Sequence, residues 1–314
     1  MHNVHKIFID GKEGTTGLRI YERLAAYNGI ELLTLSEEKR KDPRARAEMI
    51  NASDLTFFCL PDDSARESLS FMKNEKTKII DTSTAHRTAA DFTYGFPELS
   101  PAHREQIKAC NRVAVPGCHA SGFIALIYPL VKSGLLDSAT MMSFFSLTGY
   151  SGGGKKMIAA YEAGKKNADI LAPQCYALTQ SHKHLKEIQC MTGLSQAPVF
   201  SPIVSDFYSG MFVSVPLFPE QLGKTMTAAQ LSQFYEEYYK GQALLHVSPY
   251  EEAPAAVSAN AASGKDTMEL KVCGNDERFT LTALYDNLGK GASGAALQCM
   301  NLMLGFEETK GLCL

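Results

Sequence analysis

The sequence predicts an α/β chain: a doubly wound parallel sheet followed by a second domain of α+β type. Three observations carry that prediction. The first third alternates short apolar runs with helical patterns, the arrangement of βαβ units. A glycine-rich turn joins the first run to the first helix, where such a sheet opens onto its ligand crevice. After residue 118 the alternation gives way to longer strands with helices between them, which suits a mixed or antiparallel sheet.

The elements follow in order. Residues 6–10 read as a short apolar strand, and the helix after the glycine turn is expected to point Leu18, Tyr21, Leu24 and Ala25 inward. Residues 31–35 are a second strand, and a charged stretch over 37–46 leads into a short helix. Residues 54–60 are a third strand, ended by Pro61, which has no N–H to give to a ladder. Residues 64–73 read as a helix, 78–81 as a fourth strand and 112–115 as a fifth. In the second part, 139–147, 201–204, 211–217, 269–273 and 279–284 read as strands, with a helix over 227–239. Gly291-Ala292-Ser293-Gly294 then opens a last apolar helix over 295–304.

The bulk properties narrow the function classes. The 314 residues suffice for two domains with sizeable cores. Hydrophobic content of 45% and charged content of 21% are globular values. A formal net charge of −3 gives no electrostatic reason to expect nucleic acid or an anionic membrane as partner. The eight cysteines are scattered without a CxxC pair, so neither a zinc site nor a disulfide framework is indicated. The first residues run into a strand with no apolar leader, and no stretch reaches membrane-spanning length. The expectation is a reduced, cytoplasmic protein.

Gly11-Lys12-Glu13-Gly14-Thr15-Thr16-Gly17 spaces its glycines as G-x-x-G-x-x-G. Residues without Cβ let backbone N–H groups approach a pyrophosphate, which then rests on the helix N-terminus. The strand before and the helix after supply the required context, so a dinucleotide site is expected over Gly11, Gly14, Thr15, Thr16 and Gly17. An acidic residue closing the second strand would hold a free ribose 2′-hydroxyl. Here Leu35 is followed by Ser36, with Lys39 and Arg40 soon after. A hydroxyl with cations suits a 2′-phosphate, which favours NADP over NAD. Glu37 and Glu38 stay open as ribose partners, and the basic run can also be read as a solvated loop.

Cys118 lies where the strand over 112–115 turns through Pro116 and Gly117 into an apolar helix. Near a helix N-terminus the thiolate is favoured over the thiol, because unpaired N–H groups carry partial positive charge. The alternative is a small hydrophobe packed behind a turn. A thiol nucleophile needs an acid/base partner. His182-Lys183-His184 offers two imidazoles before a helical stretch, whereas His119, next in sequence to Cys118, is expected to point away from it. No carboxylate or cysteine at ligand spacing turns His-x-His into a metal site. Two further clusters suit an anion. Asp81-Thr82-Ser83-Thr84-Ala85-His86-Arg87 sets hydroxyls and an arginine at a strand end. Tyr150-Ser151-Gly152-Gly153-Gly154-Lys155-Lys156 is a glycine turn with two cations and could form an anion-binding nest.

These segments, with Asn287-Leu288-x-Lys290-Gly291-Ala292-Ser293-Gly294-Ala295-Ala296 after them, fall in an order that resembles the N-acetyl-γ-glutamyl-phosphate reductases, in particular their shorter type. The resemblance covers nearly the whole chain. It implies a semialdehyde dehydrogenase-like fold and NADPH-dependent reduction of an acyl phosphate through a cysteinyl thioester, a step of arginine biosynthesis. Cys118 is then the nucleophile, and His184, with His182 as alternate, the acid/base. Ser83 and Arg87, and more weakly Lys155, would hold the substrate. Gly152, Asn287 and Gly291 join the cofactor contacts. His86 stands where longer members carry an aromatic residue. The family also implies interleaved domains, 1–117 completed by 288–314, with 118–287 between, and a homo-oligomer, dimer or tetramer. Two other readings remain: aspartate-semialdehyde dehydrogenase, with the same chemistry on a shorter acyl phosphate, and a non-catalytic NADP-binding regulator.

Overall fold

The computed structural model describes residues 4–163, 168–250 and 255–314. Residues 1–3, part of the stretch expected to lack an apolar leader, lie outside the described residues. The first elements are β1 His5–Asp10, α1 Thr15–Leu24, β2 Ile30–Leu33, α2 Pro43–Ala52, β3 Leu55–Phe58, α3 Asp62–Ser70, β4 Lys78–Asp81, β5 Thr93–Tyr94, α4 Pro101–Ala109 and β6 Arg112–Ala114. There follow α5 Cys118–Lys132, β7 Ser143–Gly149, α6 Gly154–Glu162, α7 Ala168–Leu171, β8 Gln174–Cys175, α8 His184–Thr192, β9 Val199–Ser205 and β10 Met211–Leu217. The last are α9 Ala228–Tyr238, β11 Leu245–Val247, β12 Met268–Asn275, β13 Arg278–Tyr285 and α10 Gly294–Leu304. The chain divides into two compact units, one reaching Pro116 and taking in Ala292–Leu312, the other spanning Gly117–Gly291 with Cys313–Leu314.

The first unit holds a six-stranded sheet in the order β2-β1-β3-β4-β6-β5, every pair parallel. Strand side chains alternate between two cores, because the strand repeat is two residues. Ile7 and Ile9 pack with Ile20 and Leu24 of α1, Ile107 of α4 and the apolar α10. Phe8, between them, packs instead with Ile50 of α2 and Ala65 of α3. Both faces are covered, as a parallel sheet requires. The inner face of α1 differs from expectation. Gly17, Ile20 and Leu24 are buried, whereas Leu18 and Ala25 are exposed. Helix α2 also starts inside the stretch expected to precede it. Asp42 caps it by accepting from the Arg44 N–H at 2.9 Å, with Pro43 as its first residue.

The second unit is built on a mixed sheet in the order β11-β12-β13-β10-β7-β9-β8. The pairs β11–β12 and β7–β9 are parallel and the others antiparallel. Helices α5 and α9 lie against one face, and α8 packs on α5. Strand β7 begins at Ser143 rather than at 139. Asp137 accounts for the delay: its carboxylate accepts the Ala139 N–H at 2.8 Å and its carbonyl the Thr140 N–H at 2.9 Å, a turn that an extended strand would break.

Helix α5 is apolar and buried along most of its length, with Pro129 inside it. A proline at that position leaves the carbonyl four residues earlier, Ala125, without its helical N–H. Tyr239 fills the gap, its hydroxyl donating to the Ala125 carbonyl at 2.7 Å, and Tyr235 donates to the Leu126 carbonyl beside it. Tyr239→Phe strands a buried acceptor and is expected to lower stability by about 1–3 kcal/mol, read from the urea midpoint at unchanged m-value.

Candidate active site

The glycine turn leaves β1 and enters α1 at Thr15, with Gly14 as N-cap. Gly11 has φ +89°, and a Cβ there would stand 2.4 Å from the Cys59 carbonyl oxygen, while a Cβ on Gly17 would stand 2.5 Å from the Gly11 oxygen. The turn is therefore closed to any larger residue at both ends. Thr15 Oγ1, in the first turn of the helix, is shielded from solvent and makes no hydrogen bond among the described residues. A hydroxyl so placed at a helix N-terminus suits a phosphate oxygen. These residues fit a dinucleotide.

A cavity of about 410 Å³ adjoins the turn, lined by Gly11, Gly14, Leu35, Arg40, Lys41 and Cys59 among others. Ser36 and Lys39 lie outside it, and Lys41 takes part with Arg40. Lys39 and Arg40 N–H both return to the Ser36 carbonyl, which closes a turn over these residues. Glu37 also lines the cavity, but its carboxylate pairs with Arg40 Nε at 2.5 Å. Deeper in, Arg46 is buried and held by Asp10 at 3.1 Å, Glu67 at 2.9 Å and Ser68. Burial pushes the Cys59 thiol up to about 12, so this cavity-lining cysteine stays neutral.

The Asp81–Arg87 segment is braced internally. Ser83 Oγ donates to Asp81 Oδ2 at 2.8 Å and accepts from Ala85 N–H at 3.1 Å. His86 Nδ1 meets the same carboxylate at 2.6 Å, and its ring stacks on Phe92 at 4.4 Å. Arg87 donates to the carbonyls of Val115 at 2.8 Å and Thr82 at 3.2 Å. Ser83 thus directs its proton to Asp81, and His86 is a buried partner of that carboxylate.

In the second unit Cys118 is the first residue of α5, half-buried, with Gly117 as N-cap. The Gly117 N–H donates to Glu187 Oε2 at 3.0 Å. The other oxygen of Glu187 lies 3.9 Å from His184 Nε2, an ion-pair distance when that imidazole is protonated. Glu187 follows His184 by three residues on α8, so both project from one face. The His182 Nδ1 accepts the His184 N–H at 3.2 Å, which assigns its ring proton to Nε2.

His119 is buried with these two. Its ring centroid lies 5.7 Å from His182 and 5.6 Å from His184, and His182 and His184 are 4.6 Å apart. Its Nδ1 meets Ser146 Oγ at 2.7 Å and its Nε2 the Tyr176 hydroxyl at 2.7 Å. Burial, then the neighbouring His182, pulls His119 down to about 3, so it is neutral at physiological pH. Burial and then the charge of Cys118 push the Tyr176 hydroxyl up. Glu187, Tyr176 and Ser146 escape a reading of the sequence, and His119 is weighed there only as a residue that points away from Cys118. Only Glu187 left a trace in the sequence, its helical i+3 spacing from His184.

The remaining candidates divide. Asn287 is buried, donates to Ser151 Oγ at 3.0 Å and accepts the Gly210 N–H at 2.9 Å, so its amide clamps the glycine-rich turn. Gly152 is exposed in that turn, and Lys155 is exposed in the first turn of α6. Gly291 is buried in a π-helical turn over Gly289–Ser293, where a Cβ would stand 3.1 Å from the Cys118 Cβ. Among the described residues no group of three His, Cys, Asp or Glu side chains is disposed to hold a metal ion, and no helix is long and apolar enough to cross a membrane.

Residues 6–108 match the semialdehyde dehydrogenase NAD binding domain, and residues 118–287 the semialdehyde dehydrogenase dimerisation domain. A cysteine opening a helix beside three imidazoles, in a chain that also carries a dinucleotide cradle, is in keeping with those matches; the chain belongs to the semialdehyde dehydrogenase family. Solved aspartate semialdehyde dehydrogenases share its fold. The Vibrio cholerae enzyme II superposes with TM-score 0.71 at 16% identity, covering 96% of this chain and 98% of that one. The Candida albicans enzyme does so with TM-score 0.66 at 14% identity, covering 96% and 99%. Within the family the chain falls among the N-acetyl-γ-glutamyl-phosphate reductases. It is 44% identical to that of Sinorhizobium medicae over 95% of this chain and 98% of the relative. It is 41% identical to N-acetyl-γ-glutamyl-phosphate reductase 2 of Nostoc sp. over 99% and 100%.

Proposed function

We propose that this protein reduces N-acetyl-γ-glutamyl phosphate to N-acetylglutamate 5-semialdehyde and phosphate, with NADPH as reductant, in arginine biosynthesis. The observation that carries the reading is Cys118 at the start of α5, with Glu187 bridging the Gly117 N–H and the His184 ring. The Cys118 thiolate attacks the acyl carbon, the C–O bond to phosphorus breaks, and phosphate leaves a thioester on sulfur. The N–H groups at the α5 N-terminus stabilise the oxyanion of each tetrahedral stage. When bound, the dinucleotide supplies a hydride to the thioester carbonyl. His184 takes the proton of the thiol and later protonates the alkoxide, its charged form favoured by the Glu187 carboxylate; His182 is the alternate for this role. On collapse of the thiohemiacetal His184 takes the hydroxyl proton back, the C=O of the aldehyde forms, the C–S bond breaks and the Cys118 thiolate returns. Run in reverse, the enzyme is expected to make NADPH from N-acetylglutamate semialdehyde and phosphate. Turnover confined to aspartate semialdehyde would assign it to the sister enzymes instead.

Preference for NADPH is supported by Arg40 and Lys41, which are exposed cations on the cavity wall. Replacing both by alanine is expected to raise KM for NADPH at least about tenfold, the loss of one charge-assisted contact, and to leave KM for NADH nearly unchanged. An equal loss with both coenzymes would place the 2′-phosphate elsewhere.

A homo-oligomer is supported by the sheet face opposite α5 and α9, where Phe145, Leu147, Val199, Ile203 and Phe212 are left partly or fully exposed. An apolar patch of this kind suits a second copy of the chain. The eight free thiols suit a reducing compartment, the cytoplasm.

A further inference from the structure

Three tyrosine hydroxyls donate to backbone carbonyls of α5: Tyr239 answers to Pro129, and Tyr235 donates to the next carbonyl along. The third answers to no proline. Tyr285, the fully buried last residue of β13, donates to the Cys118 carbonyl and accepts the Gly122 N–H at 3.0 Å. Cys118 carbonyl and Gly122 N–H are helical i→i+4 partners, so the first turn could satisfy both without outside help. A phenol is nonetheless engaged with both ends of that pair. Its ring also closes on the root of the nucleophile. A Cβ on Gly291 would stand 3.1 Å from Cys118 Cβ and 3.4 Å from Tyr285 Cε2, so residue 291 backs the cysteine on one side while the phenol holds its carbonyl. The position of the phenol is enforced in turn, since a Cβ on Gly122 would stand 2.8 Å from its hydroxyl and 2.7 Å from Val213 Cγ2. The next residue, Asp286, anchors the strand end, accepting from Ser209 Oγ at 2.9 Å and from the Leu288 and Gly289 N–H groups.

We propose that Tyr285 is a positioning residue for Cys118: its hydroxyl, inserted at the first turn of α5, fixes the backbone from which the thiolate attacks. The inference rests on the reading of Cys118 as the nucleophile. Tyr285→Phe keeps the ring and removes only the hydroxyl. It is expected to lower kcat about tenfold with KM within about twofold, and to slow alkylation of Cys118 by iodoacetamide to the same extent. Tyr239→Phe is the control, since it removes the same kind of phenol-to-carbonyl bond from the same helix two turns away. It should lose stability but keep both rates. Gly122→Ala, which leaves the hydroxyl present but displaces it, should reproduce the Tyr285→Phe losses, and it serves if that variant does not fold. Unimpaired kcat and alkylation in Tyr285→Phe or in Gly122→Ala would overturn the proposal, as would equal losses in Tyr239→Phe. Cys118→Ser, assayed alongside, separates the two readings. Turnover surviving in it overturns the nucleophile itself, whereas its inactivity together with an unimpaired Tyr285→Phe overturns only the role of Tyr285.

Discussion

Cys118→Ser is expected to lower kcat by at least about four orders of magnitude while the fold and dinucleotide binding persist. The exchange removes one sulfur from a half-buried position, so packing changes little. What changes is the nucleophile. A hydroxyl does not ionise near neutral pH even at a helix N-terminus, whereas a thiol there does. The tetrahedral stage then lacks its first bond, and neither Cys299 nor Cys59 supplies a substitute. Cys299 is fully buried in the α10 core, and burial keeps Cys59 neutral. The checks are steady-state rates in both directions, with thermal unfolding and coenzyme titration to establish that the variant is intact. Several per cent of residual turnover would contradict thiol catalysis.

The second large effect is expected at the imidazoles. His184→Ala should lower kcat by about two to four orders of magnitude, the range of general acid–base catalysis, with a smaller change in KM. Glu187→Gln should follow at roughly one to two orders, because it keeps the hydrogen bond to the Gly117 N–H but removes the charge that favours the imidazolium. His182→Ala is the comparison. Its ring is half-buried and caps the α8 start through the His184 N–H. A larger loss in His182→Ala than in His184→Ala would transfer the acid/base role. His119 differs from both: burial and then His182 pull it down to about 3, and its two ring nitrogens are engaged by Ser146 and Tyr176.

The sheets were legible wherever apolar alternation ran long enough, as over 211–217, where strand β10 has those bounds. Strands β5 and β8, two residues each, and β11, three, are too short to show any period and exist only through their partners. The start of α2 was marked by Asp42-Pro43 but hidden by the charges around it, because cap chemistry and a solvated loop use the same residues. On α1 hydrophobicity alone favours Leu18 for the inner face. The close approach of Gly17 to the Gly11 carbonyl rotates the helix so that Ile20 faces the sheet and Leu18 faces water.

In the site, the residues that stand next to their function in sequence were legible: the glycine turn, Cys118 and the His-x-His pair. Those that act through tertiary contact were not. Tyr176 reaches His119 across 57 residues, Glu187 reaches Gly117 across 70, and Tyr285 reaches Cys118 across 167. Asn287 stands in the late glycine-rich motif, and its amide is engaged with Ser151 and Gly210. Its effect on a ligand would pass through the shape of the glycine-rich turn.

The central claim is a covalent acyl-enzyme on Cys118. The most direct test mixes the enzyme with N-acetyl-γ-glutamyl phosphate in the absence of any coenzyme, then reads released phosphate and the intact-protein mass after an acid quench. The account predicts one phosphate released per active site in a burst, and an N-acetylglutamyl adduct that maps to the peptide bearing Cys118 and is discharged by hydroxylamine. No burst and no adduct, from enzyme that turns over once NADPH is added, would contradict it.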